Sequence, residues 1–395
     1  MPSYQAYRNI FKDIPLPFAY VDLDLLDQNI CQIKKRAGSK QIRIASKSIR
    51  CLSVLKRILQ ADPVYQGVMC YSPPEAVYLS QQGLDDLLVA YPCWQAEQVR
   101  IVCAEVRKGK NITLMVDSIE HVRHLERLAG EEDVTLSLCL DLDLSADYPG
   151  LHFGVWRSSI FKPEDALRVF LEISKSPHLR LDGLMGYEAQ IAGVGDRVPG
   201  QFLKNKLINT LKKHSVREIA TKRAAAVNLL KASGANLRFV NGGGTGSLET
   251  TGAEEVVTEI TAGSGFYSPV LFDHYQAFKH LPAAGFALEI TRKPKPAIYT
   301  CAGGGYIASG ATAPEKQPQP YLPACAKLFS LEGAGEVQTP VRYNGPEQLN
   351  LGDPIFMRHS KAGELCERFN SLYLISQGQI VDTVPTYRGE GYCFL

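Results

Sequence analysis

The chain has 395 residues, and its 43 Lys and Arg against 41 Asp and Glu give a formal net charge of +2. That balance argues against a nucleic-acid partner, and a hydrophobic fraction of 45% is ample for a sizeable core. No apolar run reaches the roughly 20 residues a membrane span needs, residues 1–13 lack a leader pattern, and ten cysteines without paired metal spacing read as reduced thiols, so a cytoplasmic protein handling a small metabolite is expected.

In chain order, short apolar, β-rich runs alternate with longer amphipathic stretches, the signature of repeated βα units. An opening strand is expected at 18–22, followed by eight more at 42–46, 67–71, 86–90, 112–116, 134–140, 181–186, 237–240 and 256–260. Helices are expected between them at 26–36, 52–59, 74–81, 96–108, 119–128 and 163–174, with Asp117 and Ser118 as candidate N-caps. The stretch 204–223 is basic and reads as a solvated helix face. Eight units in this length suit an eight-stranded β/α (TIM-type) barrel. An open doubly wound sheet is the rival, weakened because no GxGxxG follows the first strand.

From about residue 282 the helical periodicity fades. Strand-like runs at 286–291, 296–300, 337–343, 354–358 and 371–375 are separated by turn signals such as Gly303-Gly304-Gly305. The expected organisation is a barrel over 1–280, whose first 17 or so residues could pack on the following domain, and a smaller β-rich domain over 281–395. The Pro-rich stretch 313–323 reads as an exposed loop in the latter.

In β/α barrels the reactive groups gather at the C-terminal ends of the strands. Lys47 follows the first of the eight, Tyr71-Ser72 the second and Asp117-Ser118 the fourth. His152 and Arg157 follow the fifth, and Tyr187-Glu188-Ala189-Gln190 the sixth. Asn241-Gly242-Gly243-Gly244-Thr245-Gly246 follows the seventh, and Ala262-Gly263-Ser264-Gly265 the eighth. Successive backbone N–H groups cradle a phosphate only where side chains do not block its approach, and barrel phosphate sites are often built after strands seven and eight. Either glycine run alone fits a tight turn; the two together point to a phosphate, with Asn241, Thr245 and Ser264 as further donors. Lys47, held at the barrel mouth near cations such as Arg43 or Arg50, is placed to act as an amine nucleophile. A reactive lysine facing a phosphate nest is what pyridoxal 5'-phosphate (PLP) requires.

The residues Pro17–Asp24, the flanks of Lys47 and the two glycine runs resemble the alanine-racemase-type (fold type III) PLP enzymes, most of all the D-threonine aldolase and D-serine dehydratase branch. The resemblance covers essentially the whole chain. It implies a barrel followed by a β domain, a homodimer, and a lyase acting on a β-hydroxy D-amino acid by retro-aldol cleavage or deaminating dehydration. It also implies Lys47 as the Schiff-base lysine and residues 241–246 and 263–265 as the phosphate site. The family often carries an arginine near the pyridine nitrogen in a Gly-x-x-Gly-Val pattern; Gly150–Val155 puts His152 there, with Arg157 close by. The branch also has a His-x-Cys or His-x-Asp metal pair. Here His359 matches, but Lys361 stands at the second position. Either Glu364 or Cys366 replaces that ligand, or no divalent metal binds, Lys361 supplies the charge and His359 serves as acid/base or substrate contact. A racemase using Tyr267, Tyr306 or Tyr387, and a non-catalytic PLP-binding protein, are the alternatives.

Overall fold

The computed structural model describes residues 2–148, 150–307 and 314–394. The chain forms two compact units: one of Met1–Gln32, Ser48–Val54 and Ser264–Cys393, the other of Ile33–Lys47, Leu55–Gly263 and Phe394–Leu395. Strand β1 (Phe18–Asp22) belongs to the first.

The second unit is a closed parallel barrel. Its strands are β2 (Gln41–Ala45), β3 (Tyr65–Cys70), β4 (Leu87–Val89), β5 (Ile112–Val116), β6 (Leu136–Asp141) and, after a two-stranded ribbon β7 (Ala146–Tyr148) and β8 (Leu151–Phe153), β9 (Leu179–Gly186), β10 (Phe239–Gly242) and β11 (Glu259–Ala262). β11 pairs with β2 and closes the ring. Each of the eight runs expected from the sequence supplies one barrel strand; the last two are displaced by two or three residues toward the C-terminus. Alternate side chains enter the barrel, where Leu88, Ala90, Met115, Cys139, Met185 and Phe239 pack together. A Cβ at Gly183 would lie 2.4 Å from the Phe239 ring, so glycine there makes room for the phenyl group.

The surrounding helices follow apolar spacing of three and four. Ile119–Glu131 buries Val122, Leu125, Leu128 and Ala129, and the Ser118 hydroxyl caps it by accepting from the His121 N–H at 3.2 Å. Pro163–Ile173 buries Ala166, Val169, Phe170 and Ile173, with proline in its first turn, where the missing N–H costs nothing. The basic stretch departs from expectation. It lies in the 31-residue helix Phe202–Ala232, but Lys212 and Arg223 are buried and ion-paired, to Asp196 and to Glu188 and Glu254 respectively, so the face is not simply solvated.

In the first unit β1 runs antiparallel to β12 (Ala284–Lys295) and parallel to β18, within a sheet completed by β13 (Ile298–Ala302), β14 (Gln319–Leu322), β15 (Lys327–Leu328), β16 (Gln338–Arg342), β17 (Pro354–Arg358), β18 (Ser371–Ser376) and β19 (Gln379–Pro385). The helix Tyr4–Ile10 packs on it, with Tyr7 edge-on to Tyr20 at 5.2 Å and its hydroxyl donating to Asp22 at 2.7 Å. The Pro-rich loop expectation needs correction. Residue 313 lies outside the described residues, but β14 is a strand paired with β17, and among the described residues it is an edge strand, where Pro320 is tolerated. Among the described residues no helix is long and apolar enough to cross a membrane.

Candidate active site

The C-terminal strand ends of the barrel gather a lysine, an arginine and two tyrosines. β2 passes directly into the single 3-10 turn Ser46–Ser48, which carries Lys47 out of the strand with its side chain exposed. Its Nζ donates to the Tyr91 hydroxyl at 3.3 Å. Tyr91 follows β4, one residue beyond the buried Ala90, and packs against the barrel core. The Arg157 guanidinium lies 4.9 Å from the Tyr91 ring centroid and 5.3 Å from that of Tyr187. Among the described residues Arg157 forms no ion pair, so its charge is spread over two aromatic faces.

These contacts shift the titrations. Burial works to raise the Tyr91 phenol, but Lys47 and Arg157 outweigh it and leave the hydroxyl more acidic than usual. Tyr187 is pushed up to about 12, by burial first, with Glu188 adding to the rise and Arg157 opposing it. Asp141, the last residue of β6, is buried, and burial pushes its carboxyl up to about 7; Arg157 opposes, while Asp117 and Asp143 reinforce the rise.

The cations expected beside Lys47 are committed elsewhere. Arg43 is fully buried and paired with Glu259 at 2.7 Å and Asp86 at 3.1 Å, at the strand starts. Arg50 pairs with Glu367.

The glycine run after β10 is partly explained by packing. A Cβ at Gly242 would meet the Arg223 guanidinium at 2.9 Å, and one at Gly244 would meet Ala192 at 2.9 Å and Tyr187 at 3.2 Å. Gly243 has φ +86° and would press its Cβ to 2.5 Å from Ile260. The Gly244 N–H donates to Ser247 at 3.1 Å, and Thr245 offers its carbonyl to Arg36 at 2.8 Å. Among the described residues the turn N–H of Gly246 has no protein acceptor. Gly263 leaves β11 directly, and Ser264 and Gly265 open the one-turn helix Ser264–Tyr267, where the Ser264 hydroxyl lies 3.0 Å from that of Ser48.

Other expected residues have local duties. The Asn241 amide donates to Glu259 and Thr261, both at 2.9 Å, inside the barrel. Gln190 donates to the Leu144 carbonyl at 2.7 Å. His152 sits on the ribbon, its Nδ1 2.7 Å from Asp147 and its ring stacked on Trp156 at 3.8 Å, while Arg157 is the one that reaches Tyr91.

His359 lies in the other unit, fully buried, its ring edge-on to Tyr267 at 6.3 Å and neither nitrogen in a well-formed hydrogen bond. Burial, then Arg358, pushes its pKa down to about 3, against a weak opposing effect of the Ala362 backbone. Cys366 donates to the Ile49 carbonyl, and Tyr267 to the same oxygen at 3.2 Å. Tyr306 and Tyr387 are buried. Among the described residues no three His, Cys, Asp or Glu side chains cluster as a metal site.

Sequence reasoning passed over Tyr91 and Asp141. Asp141 ends β6 and Tyr91 follows β4 by two residues, as Lys47 follows β2, so the same strand-end rule finds them.

A closed parallel barrel with a lysine at the end of its first strand defines the class. The family model for the N-terminal domain of alanine racemase matches residues 21–269, more than half of the chain, and the chain belongs to that family. Among curated proteins it is 22% identical over 253 residues to 3-hydroxy-D-aspartate aldolase of Paracoccus denitrificans (strain Pd 1222), a match spanning 64% of this chain and 60% of that relative. Among solved structures it is similar to D-threonine aldolase from Filomicrobium marinum (TM-score 0.78, 17% identity, 95% of this chain and 96% of that one). It is also similar to D-threo-3-hydroxyaspartate dehydratase from Delftia sp. HT23 (TM-score 0.75, 16% identity, 95% and 98%). Alanine racemase of Clostridium difficile 630 shares the fold at TM-score 0.65 and 15% identity, over 95% and 99% of the chains.

Proposed function

We propose that the protein is a PLP-dependent lyase acting on a D-amino acid with a β-hydroxyl group. The observation that carries this reading is the Lys47 amine, presented at a barrel strand end beside the Tyr91 hydroxyl and in one aromatic cluster with Arg157. Family membership and the activities named for the relatives support it.

The residues present fit the cofactor. Lys47 offers the amine that would hold it, the turn 243–246 offers an N–H at Gly246 for its phosphate, and Arg157 offers a cation beside its ring. We assign the ring contact to Arg157 in preference to His152, whose Nδ1 is committed to Asp147. When bound, PLP supplies an electron sink for negative charge developing on the substrate. The chain's own part is positional and protonic. Tyr91, acidified by two neighbouring cations, holds or passes a proton at the Lys47 nitrogen. The aromatic faces of Tyr91 and Tyr187 keep the Arg157 guanidinium fixed without neutralising it. His359, buried and lacking a well-formed hydrogen bond, is the acid/base or substrate contact that the family resemblance suggests.

The test is direct. The purified protein with added PLP should develop the yellow absorbance of a lysine adduct, and Lys47→Ala should not. A panel of D- and L-3-hydroxy amino acids should then yield aldehyde plus glycine, or keto acid plus ammonia, from the D-series. A colourless wild type, or loss of optical rotation with neither product, overturns the proposal, the second in favour of a racemase. Chelator treatment reports whether a divalent metal takes part.

A further inference from the structure

Behind the glycine turn lies a buried ionic assembly with no role in the chemistry above. Arg223 projects from the helix Phe202–Ala232 and is fully buried. Its Nη2 donates to Glu188 at 3.0 Å and to the Gly186 carbonyl at 3.1 Å, and its Nη1 is ion-paired with Glu254. Glu188 follows β9 by two residues and is itself 1% exposed. Its other oxygen accepts from the Ser247 hydroxyl at 3.1 Å and from the Thr251 hydroxyl. Ser247 in turn accepts the Gly244 N–H at 3.1 Å.

Taking a guanidinium and two carboxylates out of water is costly, and such a group is seldom placed for stability alone. Its reach explains the placement here. It ties together the end of β9, the turn after β10 and the helix Leu248–Gly252 that follows the turn. Because Ser247 donates its proton to Glu188, its lone pairs face the turn and draw in the Gly244 N–H. Gly242 must be glycine because the Arg223 guanidinium occupies the space of a side chain. The turn is thus held from behind while, among the described residues, the Gly246 N–H has no protein acceptor.

The geometry points to Arg223 and Glu188, acting through Ser247, as positioning residues that shape the 243–246 turn for the phosphate of a phosphorylated cofactor. This rests on the proposed PLP reading. Neither residue is a catalytic group: each acts through the Ser247 hydroxyl and the Gly244 amide.

The experiment compares PLP with pyridoxal, which lacks the phosphate, on the full-length protein. Affinities are read from the visible absorbance of the lysine adduct, alongside melting temperatures of the cofactor-free forms. Ser247→Ala should weaken PLP by about tenfold, the factor that one lost hydrogen bond of ordinary strength gives, and pyridoxal by less than about twofold on the same scale. Ser247→Thr, which keeps a hydroxyl, should restore the preference. Glu188→Gln is the second variant and should show the same selective loss; it carries the comparison if Ser247→Ala does not fold. Equal loss for both ligands, or no loss for either, overturns the inference and leaves the cofactor assignment standing. A wild type that takes up PLP no better than pyridoxal also overturns it. A wild type that binds neither overturns the PLP reading and this inference together.

Discussion

At the strand starts of the barrel, Arg43 is wholly buried, pairs with Glu259 and Asp86, and belongs to a chain of bonds that runs on through Arg238 to Asp182 and Thr113. At the strand ends, Lys47 is exposed with a hydroxyl at 3.3 Å, Arg157 rests on aromatic rings, and Asp141 is a buried carboxyl with a raised pKa. At one end the charges are buried in ion pairs; at the other, Arg157 lies on aromatic faces and Lys47 reaches solvent beside a hydroxyl. A saturated network fixes geometry and loses heavily if cut. Exposed or perturbed titratable groups at barrel strand ends are where chemistry on an incoming molecule is expected.

That contrast predicts opposite consequences for substitutions a few residues apart, one on β2 and one just beyond it. Lys47→Ala should lower lyase activity by at least ~10³-fold, because the nucleophilic amine is lost outright. It should change the denaturant unfolding free energy of the cofactor-free protein by no more than ~0.5 kcal/mol, as an exposed substitution does. A large stability loss in this variant would break the comparison. Arg43→Met should do the reverse. It strands Glu259 as a buried, unpaired carboxylate and should cost about 3–5 kcal/mol, while any folded fraction keeps the yellow colour. Chemical denaturation followed by circular dichroism measures both.

How far these ends were readable follows from what decides each feature. The eight barrel strands are local apolar runs set between amphipathic helices, and each run supplies its strand. The ribbon β7–β8 is not legible because its strands, 146–148 and 151–153, are mixed in polarity and only partly buried, so they show no period-2 pattern. β14 is not legible because its prolines mask what is an edge strand. Lys47 was legible as a strand-end residue. The Arg43 network was misread because its partners, Asp86 and Glu259, lie 43 and 216 residues away in the sequence. In sequence, Arg223 reads as one charge of a basic helix for the same reason: Glu188 is 35 residues distant. Asn241 looked like a phosphate donor, but its amide faces into the barrel.

The glycine turn sharpens the comparison at smaller scale. Gly243→Ala combines a left-handed backbone with a Cβ 2.5 Å from Ile260. It should cost about 1–3 kcal/mol and weaken PLP binding beyond that of the Ser247 variants, since it moves the turn itself. Thermal melting and cofactor titration of one sample separate the two effects. Unchanged melting would mean that Ile260 yields easily and the turn is not tightly specified.

A pH-dependent effect tests the strand-end carboxyl Asp141. Asp141 has its carboxyl pushed up to about 7 chiefly by burial, so the folded protein holds that proton at pH values where the unfolded chain has released it. Below about pH 4 both states are protonated and the residue contributes nothing to the pH dependence. Between about pH 4 and 7 the unfolded chain binds fewer protons, and stability falls with rising pH by at most ~1.4 kcal/mol per unit. Above that window the penalty is constant. Asp141→Asn should therefore gain stability relative to wild type as pH rises from 4 to 8, by ~1–3 kcal/mol in all, read from unfolding midpoints across the range. Arg157 is the cation that opposes the shift, so Arg157→Gln in the wild-type background should move the step to higher pH. A flat difference between Asp141→Asn and wild type would mean that Asp141 is ionised and held by partners in the folded protein.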